Sequence, residues 1–262
     1  VRHDHPVPHP VRQRIFITGA SAGLGEGMAR RFAAMGRDLA LVARRGDRLE
    51  ELAKELLAAH PGIRVETAPL DVDDDEAVAR VVPELAGRLG GIDRFVANAG
   101  IGKGTPVGSG RPGPNRQVLV TNVLGTHASC EAAVQLFRAQ GAGHLVVISS
   151  VAGVRGMGGA RTAYATSKAA DAILAEGIRA ELLRDRATRR IAVTTIHPGF
   201  IATDINVGRR RPFTVDLDTG VDALVAAIER EPVRAYVPEW PWRAIAALMR
   251  VAPLPVMAKV GV

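Results

Sequence analysis

An α/β fold is predicted, with a doubly wound, mostly parallel sheet of about seven strands flanked by helices. Three observations predict it. Short Val/Ile/Leu-rich runs alternate with longer amphipathic runs along the chain, the pattern of repeated strand–helix–strand units. The short runs show little apolar/polar alternation, as expected of strands buried on both faces. The first run leads directly through a glycine-rich turn into a helix.

The elements follow in order. A strand is expected over Gln13–Thr18 and a helix over Gly23–Met35. A second strand over Asp38–Ala43 precedes a helix over Gly46–His60. The third strand, Ile63–Leu70, precedes a helix over Asp73–Leu89, whose acidic start suits the helix dipole. Pro83 falls inside that helix and is a point where it can break. The fourth strand is Ile92–Ala97. A Gly/Pro-rich loop, Gly100–Pro114, then leads into a long helix ending near Ala139. The fifth strand is Gly143–Ser149. An Ala-rich helix spans Thr162–Arg184, and a sixth strand spans Arg190–His197. A helix over Leu217–Glu231 and a short strand over Arg234–Val237 complete the pattern. Strands separated by helices imply right-handed crossovers. Ligands of such sheets bind beyond the carboxyl ends of the strands.

The chain has 262 residues, 47% hydrophobic and 23% charged, which suits one large domain with a sizeable core. We expect a tail over residues 1–11, a single body over 12–239 and an apolar extension over 240–262. The tail is His- and Pro-rich and reads as flexible, not as a secretory leader. His3, His5 and His9 do not make a convincing metal site there, and no metal is expected. One cysteine, Cys130, excludes an intramolecular disulfide and points to a reducing, cytoplasmic setting. The net charge of +7 permits nucleic-acid or anionic-membrane contact. No recognition-helix, zinc or aromatic-platform motif accompanies it, so no nucleic-acid partner is expected. No stretch reaches the ~20 apolar residues needed to span a bilayer.

Two motifs carry chemistry. The first is Thr18-Gly19-Ala20-Ser21-Ala22-Gly23-Leu24-Gly25, between the first strand and its helix. Glycine lets the backbone turn tightly and approach a phosphate, and the helix N-terminus offers free N–H groups. The second is Tyr164-Ala165-Thr166-Ser167-Lys168. Residues four apart share a helix face, so a phenol and an ammonium lie side by side. A nearby cation favours phenolate, bringing a tyrosine toward general acid/base work. The pair alone far more often marks an aromatic and a lysine on a surface helix; the rest of the chain overturns that reading.

These motifs, in this order over residues 12–240, resemble the short-chain dehydrogenase/reductase family. The resemblance implies a single Rossmann-type domain binding a nicotinamide dinucleotide. By the same resemblance the cofactor would be held by Gly19, Ser21, Ala22, Gly23, Leu24 and Gly25. Further contacts would come from Asp71 and Val72 after the third strand and from Asn98-Ala99-Gly100 after the fourth. Pro198-Gly199 and Thr203 would lie on the nicotinamide side. The catalytic set implied is Asn122, Ser150, Tyr164 and Lys168. Tyr164 would be the acid/base, Lys168 would lower its pKa and hold the ribose, Ser150 would steady the substrate oxygen, and Asn122 would link Lys168 to solvent. Two departures stand out: Ala97 occupies a position that is usually Asn, and the interval from Ser150 to Tyr164 is fourteen residues, one more than in many relatives. The interval leaves Ser149 and Ser150 both candidates to face the substrate.

Cofactor choice is read at the end of the second strand, where an acidic residue binds the ribose 2′-hydroxyl of NAD. Here Ala43 holds that position and Arg44-Arg45 follow. A guanidinium can grip a 2′-phosphate, so NADP(H) is preferred over NAD(H). The activity implied is carbonyl reduction or secondary-alcohol oxidation on a small molecule. Loss of the Tyr or Lys would have favoured the alternative, a non-catalytic dinucleotide-binding regulator or scaffold. Relatives pair their long helices into homo-dimers or homo-tetramers, and the resemblance implies the same here. Substrate contacts are expected from 101–115, 151–161 and 200–214. Arg209-Arg210-Arg211 in the last reads as a solvated lid or as a grip on an acidic substrate group. The segment from Trp240-Pro241-Trp242 onward has three readings: a cover on the substrate pocket, a subunit contact, or a peripheral membrane helix.

Overall fold

A computed structural model describes residues 11–203 and 212–259. Seven strands form one sheet in the order β3-β2-β1-β4-β5-β6-β7. They are β1 (Arg14–Thr18), β2 (Asp38–Ala43), β3 (Val65–Pro69), β4 (Arg94–Ala97), β5 (Gly143–Ile148), β6 (Ile191–Pro198) and β7 (Arg234–Val237). Every neighbouring pair is parallel. The order reverses between β1 and β4, the switch point beyond whose carboxyl strand ends sheets of this kind form a ligand crevice.

Side-chain alternation sends each strand into two cores. On one face, Ile15 and Ile17 of β1 pack with α1 (Gly23–Ala34), α2 (Gly46–Ala59) and α7 (Leu217–Glu229). On the other, Phe16 packs with α3 (Asp75–Leu89), α5 (Gly125–Gln140) and α6 (Thr162–Leu182). Phe16 stacks on Phe95 of β4 with ring centroids 4.6 Å apart. Such fully buried rings each contribute roughly 1.5–3 kcal/mol of transfer free energy. The central strands are wholly buried, whereas β3 and β7 at the edges are partly exposed, which explains their weaker apolar runs.

Local chemistry sets the helix ends. Asp74 caps α3 by accepting from the Ala77 N–H at 2.9 Å, and Gly90 ends that helix at φ 74°. Pro83 lies within α3 without breaking it. Asp216 caps α7 in the same way, through the Thr219 N–H at 2.8 Å.

The long helix expected after the fourth strand is three pieces. α4 (Pro112–Leu119) passes into a π-helical turn, Val120–Leu124, before α5 begins. Asn122 lies in that turn and grips the backbone of Ile101 from both sides, accepting at 2.8 Å and donating at 2.9 Å. A widened turn of this kind redirects one side chain without ending the helix, which periodicity alone does not reveal.

At the opposite end of the sheet, Arg94 is 1% exposed. It pairs with Glu229 and Glu231 and donates from Nε to His144 Nδ1 at 2.9 Å. Arg12 joins through Glu231 at 2.7 Å. Buried charges require such partners, and this network pins β4 and β5 to the turn after α7.

Candidate active site

The glycine turn is built by packing as well as by conformation. Gly19 has φ +67°, and a Cβ there would stand 2.8 Å from the Ala99 Cα. A Cβ on Gly25 would stand 2.2 Å from the Gly19 carbonyl oxygen. Gly23, at φ +56°, faces Thr203, whose Cγ2 would be 3.7 Å from an added Cβ. Thr18 locks the turn to the end of β4: its Oγ1 accepts from the N–H groups of Asn98 and Ala99, both at 3.0 Å. Asn98 returns a bond from Nδ2 to the Thr18 carbonyl at 2.9 Å. Ala22 is the N-cap of α1 and provides no side-chain cap. The first N–H groups of α1 therefore remain open to an anion, and the turn fits a pyrophosphate.

Ala43 ends β2 with no carboxylate. The two arginines beyond it differ. Arg45 reaches back to the turn, donating to Ser21 Oγ from Nη2 at 3.0 Å and from Nε at 3.2 Å. Arg44 is exposed and makes no hydrogen bond among the described residues. Asp71 is exposed and its carboxylate accepts from the Asp73 N–H at 3.2 Å. Its neighbour Val72 is buried against Gly125, where a Cβ would meet Val72 Cγ2 at 2.7 Å.

Lys168 lies under this crevice. Its ammonium donates to the Ile148 carbonyl at 2.9 Å and to Asp171 Oδ2 at 2.8 Å. A Cβ on Gly100 would stand 3.6 Å from Lys168 Nζ and 3.2 Å from Asn122 Oδ1, so these three residues meet. Burial presses the Lys168 pKa down, but the charge of Asp171, then that of Tyr164 and the Asp171 hydrogen bond, more than offset it. The net direction is upward. Tyr164 is half-buried one turn before, within electrostatic reach of Lys168, and its hydroxyl makes no hydrogen bond among the described residues.

The two serines have different partners. Ser149 Oγ donates to the Lys168 carbonyl at 2.6 Å. Ser150 Oγ accepts from the Ala152 N–H at 3.1 Å and makes only a long contact, 3.5 Å, with the Pro198 carbonyl. Both donors of the Asn122 amide are engaged, one by the Ile101 carbonyl and one by Ser167 Oγ at 3.0 Å. The amide oxygen accepts one bond, from the Ile101 N–H, and keeps a lone pair on the side of Gly100 and Lys168.

The C-terminal segment returns to the body beside the end of β6. α8 (Glu239–Val251) packs on β7 and on the short 3-10 turn Val151–Val154. Trp242 is 1% exposed and rests on Gly199, where a Cβ would stand 2.0 Å from its Nε1. Phe200 meets the indole edge-on at 4.8 Å. Arg155 donates to the Arg250 carbonyl at 2.8 Å, joining the 151–161 loop to α8. Within that loop, Gly153 allows contact with α6: a Cβ would stand 2.5 Å from the Lys168 carbonyl carbon. This packing places the start of the segment against the body and does not choose among its three sequence readings. Trp240, Leu248 and Val251 of α8 nonetheless stay exposed. No helix among the described residues is long and apolar enough to cross a membrane. Arg209-Arg210-Arg211 and the histidines of the tail lie outside the described residues.

Two residues near the site escaped the sequence reading. Asp171 carries a visible signal, since it stands three residues after Lys168 on one helix face. Trp242 stands out in the sequence, but its contact with Gly199 depends on the chain's return and has no local signal. His197, at the end of β6, is buried; its Nδ1 lies 3.2 Å from the Ser150 carbonyl and its Nε2 has no hydrogen-bond partner among the described residues. Burial, weakly opposed by that contact, pulls its pKa down to about 4.

Comparisons with known proteins agree with this geometry. Residues 13–212 match the family model described as short chain dehydrogenase. An uncharacterised oxidoreductase of Mycobacterium tuberculosis is 51% identical over 243 residues, covering 92% of this chain and 94% of its own. A short-chain dehydrogenase from Sphingobium yanoikuyae, solved in complex with NADPH, superposes with a TM-score of 0.77 at 27% identity, covering 92% of this chain and 96% of its own. A short-chain dehydrogenase/reductase from Burkholderia phymatum, solved with NAD, shares the fold at a TM-score of 0.79 and 21% identity, covering 94% of each chain. The chain belongs to the short-chain dehydrogenase/reductase family of oxidoreductases.

Proposed function

We propose that this protein is an NADPH-dependent oxidoreductase acting on a carbonyl or secondary alcohol, with Tyr164 as the acid/base. The observation that carries the reading is the buried Lys168 ammonium, one helical turn from a Tyr164 hydroxyl that has no hydrogen-bond partner among the described residues. Such a hydroxyl is free to meet a substrate oxygen, with a cation held beside it. The bound nicotinamide supplies the hydride chemistry.

The chain's own residues would divide the remaining work. The uncapped start of α1, with Gly19, Gly23 and Gly25, would seat the pyrophosphate. Tyr164 would donate its proton to the carbonyl oxygen during reduction. Ser150, whose hydroxyl hydrogen is only weakly engaged, would donate a hydrogen bond to that same oxygen as charge develops on it. Ser149 is already bound to the Lys168 carbonyl, so Ser150 is the better donor. Asn122 would act by fixing Ile101 and Ser167 around the site.

The preference for NADPH rests on Ala43 and its neighbours. No carboxylate ends β2 to repel a 2′-phosphate, Arg44 is unengaged, and Arg45 already stands at the turn through Ser21. Solved neighbours carry either nucleotide, NADPH in the Sphingobium relative and NAD in the Burkholderia one, so the preference rests on this chain's own residues. A homo-dimer or homo-tetramer through α5 and α6 belongs to this reading; Ile173 on α6 is 69% exposed there. The decisive assay follows NADPH absorbance with ketones of graded size. No oxidation of NADPH by any of them, with saturable NADPH binding intact, would reject the enzymatic reading.

A further inference from the structure

Tyr164, Lys168 and Asp171 occupy one stripe of α6, at i, i+4 and i+7. Asp171 is 1% exposed and Lys168 is 5% exposed. The Asp171 carboxylate holds the ammonium through Oδ2 at 2.8 Å, and its further hydrogen-bonding neighbour is the Thr126 hydroxyl of α5. An apolar residue would fill this place between α5 and α6 without the desolvation cost of a carboxylate. Packing therefore does not account for Asp171, whereas the ammonium does.

We propose that Asp171 is a positioning residue of the site, the buried counter-charge that keeps the Lys168 ammonium charged and in place beside Tyr164 whether or not a nucleotide is bound. This rests on the functional reading above only for its effect on turnover. Lys168 has three N–H donors, of which Asp171 and the Ile148 carbonyl take two. The third remains for the side where Gly100 and Asn122 border the crevice. Without Asp171 the ammonium would keep one carbonyl as its partner in a fully desolvated place. The groups facing the pair are few. Tyr164 shares the helix, Thr126 and Cys130 face Asp171 from α5, and β5 presents the Ile148 carbonyl. Burial raises the Cys130 thiol and keeps it neutral, and Asp171 adds to that shift.

Removing the carboxylate lowers the upper pH limit of carbonyl reduction, because Lys168 then loses its proton, and with it the required cation, earlier. A residue that only fills space would lower rates at every pH without moving that limit.

Two variants test this, Asp171→Asn and Asp171→Leu. The first keeps the shape and a hydrogen-bond acceptor; the second keeps the volume and removes all polarity. The cofactor-free readout is NMR of protein carrying carbon-13 lysine, in which Lys54, Lys103, Lys168 and Lys259 are the only signals. We expect the Lys168 titration midpoint to fall by at least about one pH unit, a tenfold change in proton affinity, in either folded variant. The basic limb of kcat/KM for NADPH-dependent ketone reduction is expected to move down by a similar amount. An unmoved Lys168 midpoint, or an unmoved limb with uniformly lower rates, would overturn the proposal. Tyr164→Phe is run beside them. Persistent turnover in that variant would reject the acid/base reading, while the cofactor-free lysine titration still decides the role of Asp171.

Discussion

The Ser149 hydroxyl donates to the main-chain carbonyl of Lys168 at 2.6 Å, tying the end of β5 to the middle of α6. The adjacent Ser150 has no comparably short bond for its hydrogen. The two serines should therefore separate on mutation. Ser150→Ala is expected to lower kcat by roughly 10²–10³, the usual cost of removing a donor to a developing oxyanion. Ser149→Ala is expected to lower stability by about 1 kcal/mol with a much smaller effect on kcat. Steady-state kinetics and urea unfolding of both variants check this; a reversed pattern would reassign the site.

Tyr164→Phe removes the proton donor and keeps the ring. Turnover should fall by at least about 10²-fold, the lower range for general acid/base contributions. NADPH affinity, measured by fluorescence titration, should change less than about threefold, a shift below ~1 kcal/mol.

Arg44 and Arg45 should differ in the same way as their contacts. Arg44→Ala is expected to weaken NADPH roughly 10- to 100-fold, as loss of a charged hydrogen bond of ~1.5–3 kcal/mol would. NADH binding should be almost unchanged. Arg45→Ala also releases Ser21 from the glycine turn, so it should weaken both nucleotides. Equal losses for NADPH and NADH in Arg44→Ala would remove it from the 2′-phosphate site.

Trp242 fills the space above Gly199 and carries α8 onto the body. Trp242→Ala leaves a cavity and should cost about 3–5 kcal/mol of stability. In whatever fraction remains folded, KM for bulky ketones should change more than the NADPH dissociation constant. Thermal unfolding and a substrate series give the two measurements.

His197 gives the protein a predictable acid sensitivity. Its folded-state pKa, lowered to about 4 chiefly by burial, lies below the ordinary value of 6.5. The unfolded chain therefore binds this proton first as pH falls. The contribution is fully present above about pH 6.5, declines below it, and levels off only beneath about pH 4. Between pH 7 and pH 5 the loss from this group is about 2 kcal/mol. A His197→Asn variant should lose correspondingly less stability over that interval than the wild-type chain, by urea denaturation at the two pH values. Equal losses would show that His197 binds its proton as readily in the folded protein as in the unfolded chain.

The sequence by itself determined the order of strands and helices, the glycine turn after β1, and the shared face of Tyr164 and Lys168. Each is a local property: apolar runs of a given period, the φ freedom of glycine, a spacing of four on a helix. It also showed Ala43 where a carboxylate would mark NAD, because that position is counted from the end of a strand. Local pattern did not show the π-helical turn at Asn122, since one residue of extra winding barely disturbs helical periodicity. Nor did it choose between Ser149 and Ser150, which differ only in what α6 and β6 present to them. The return of Trp242 to Gly199 and the reach of Arg45 to Ser21 join residues far apart in the chain. Such contacts were decided by how the layers pack. The same is true of the charge on Lys168: the spacing to Asp171 was written in the sequence, but only burial removed the water that would otherwise have made the pairing inconsequential.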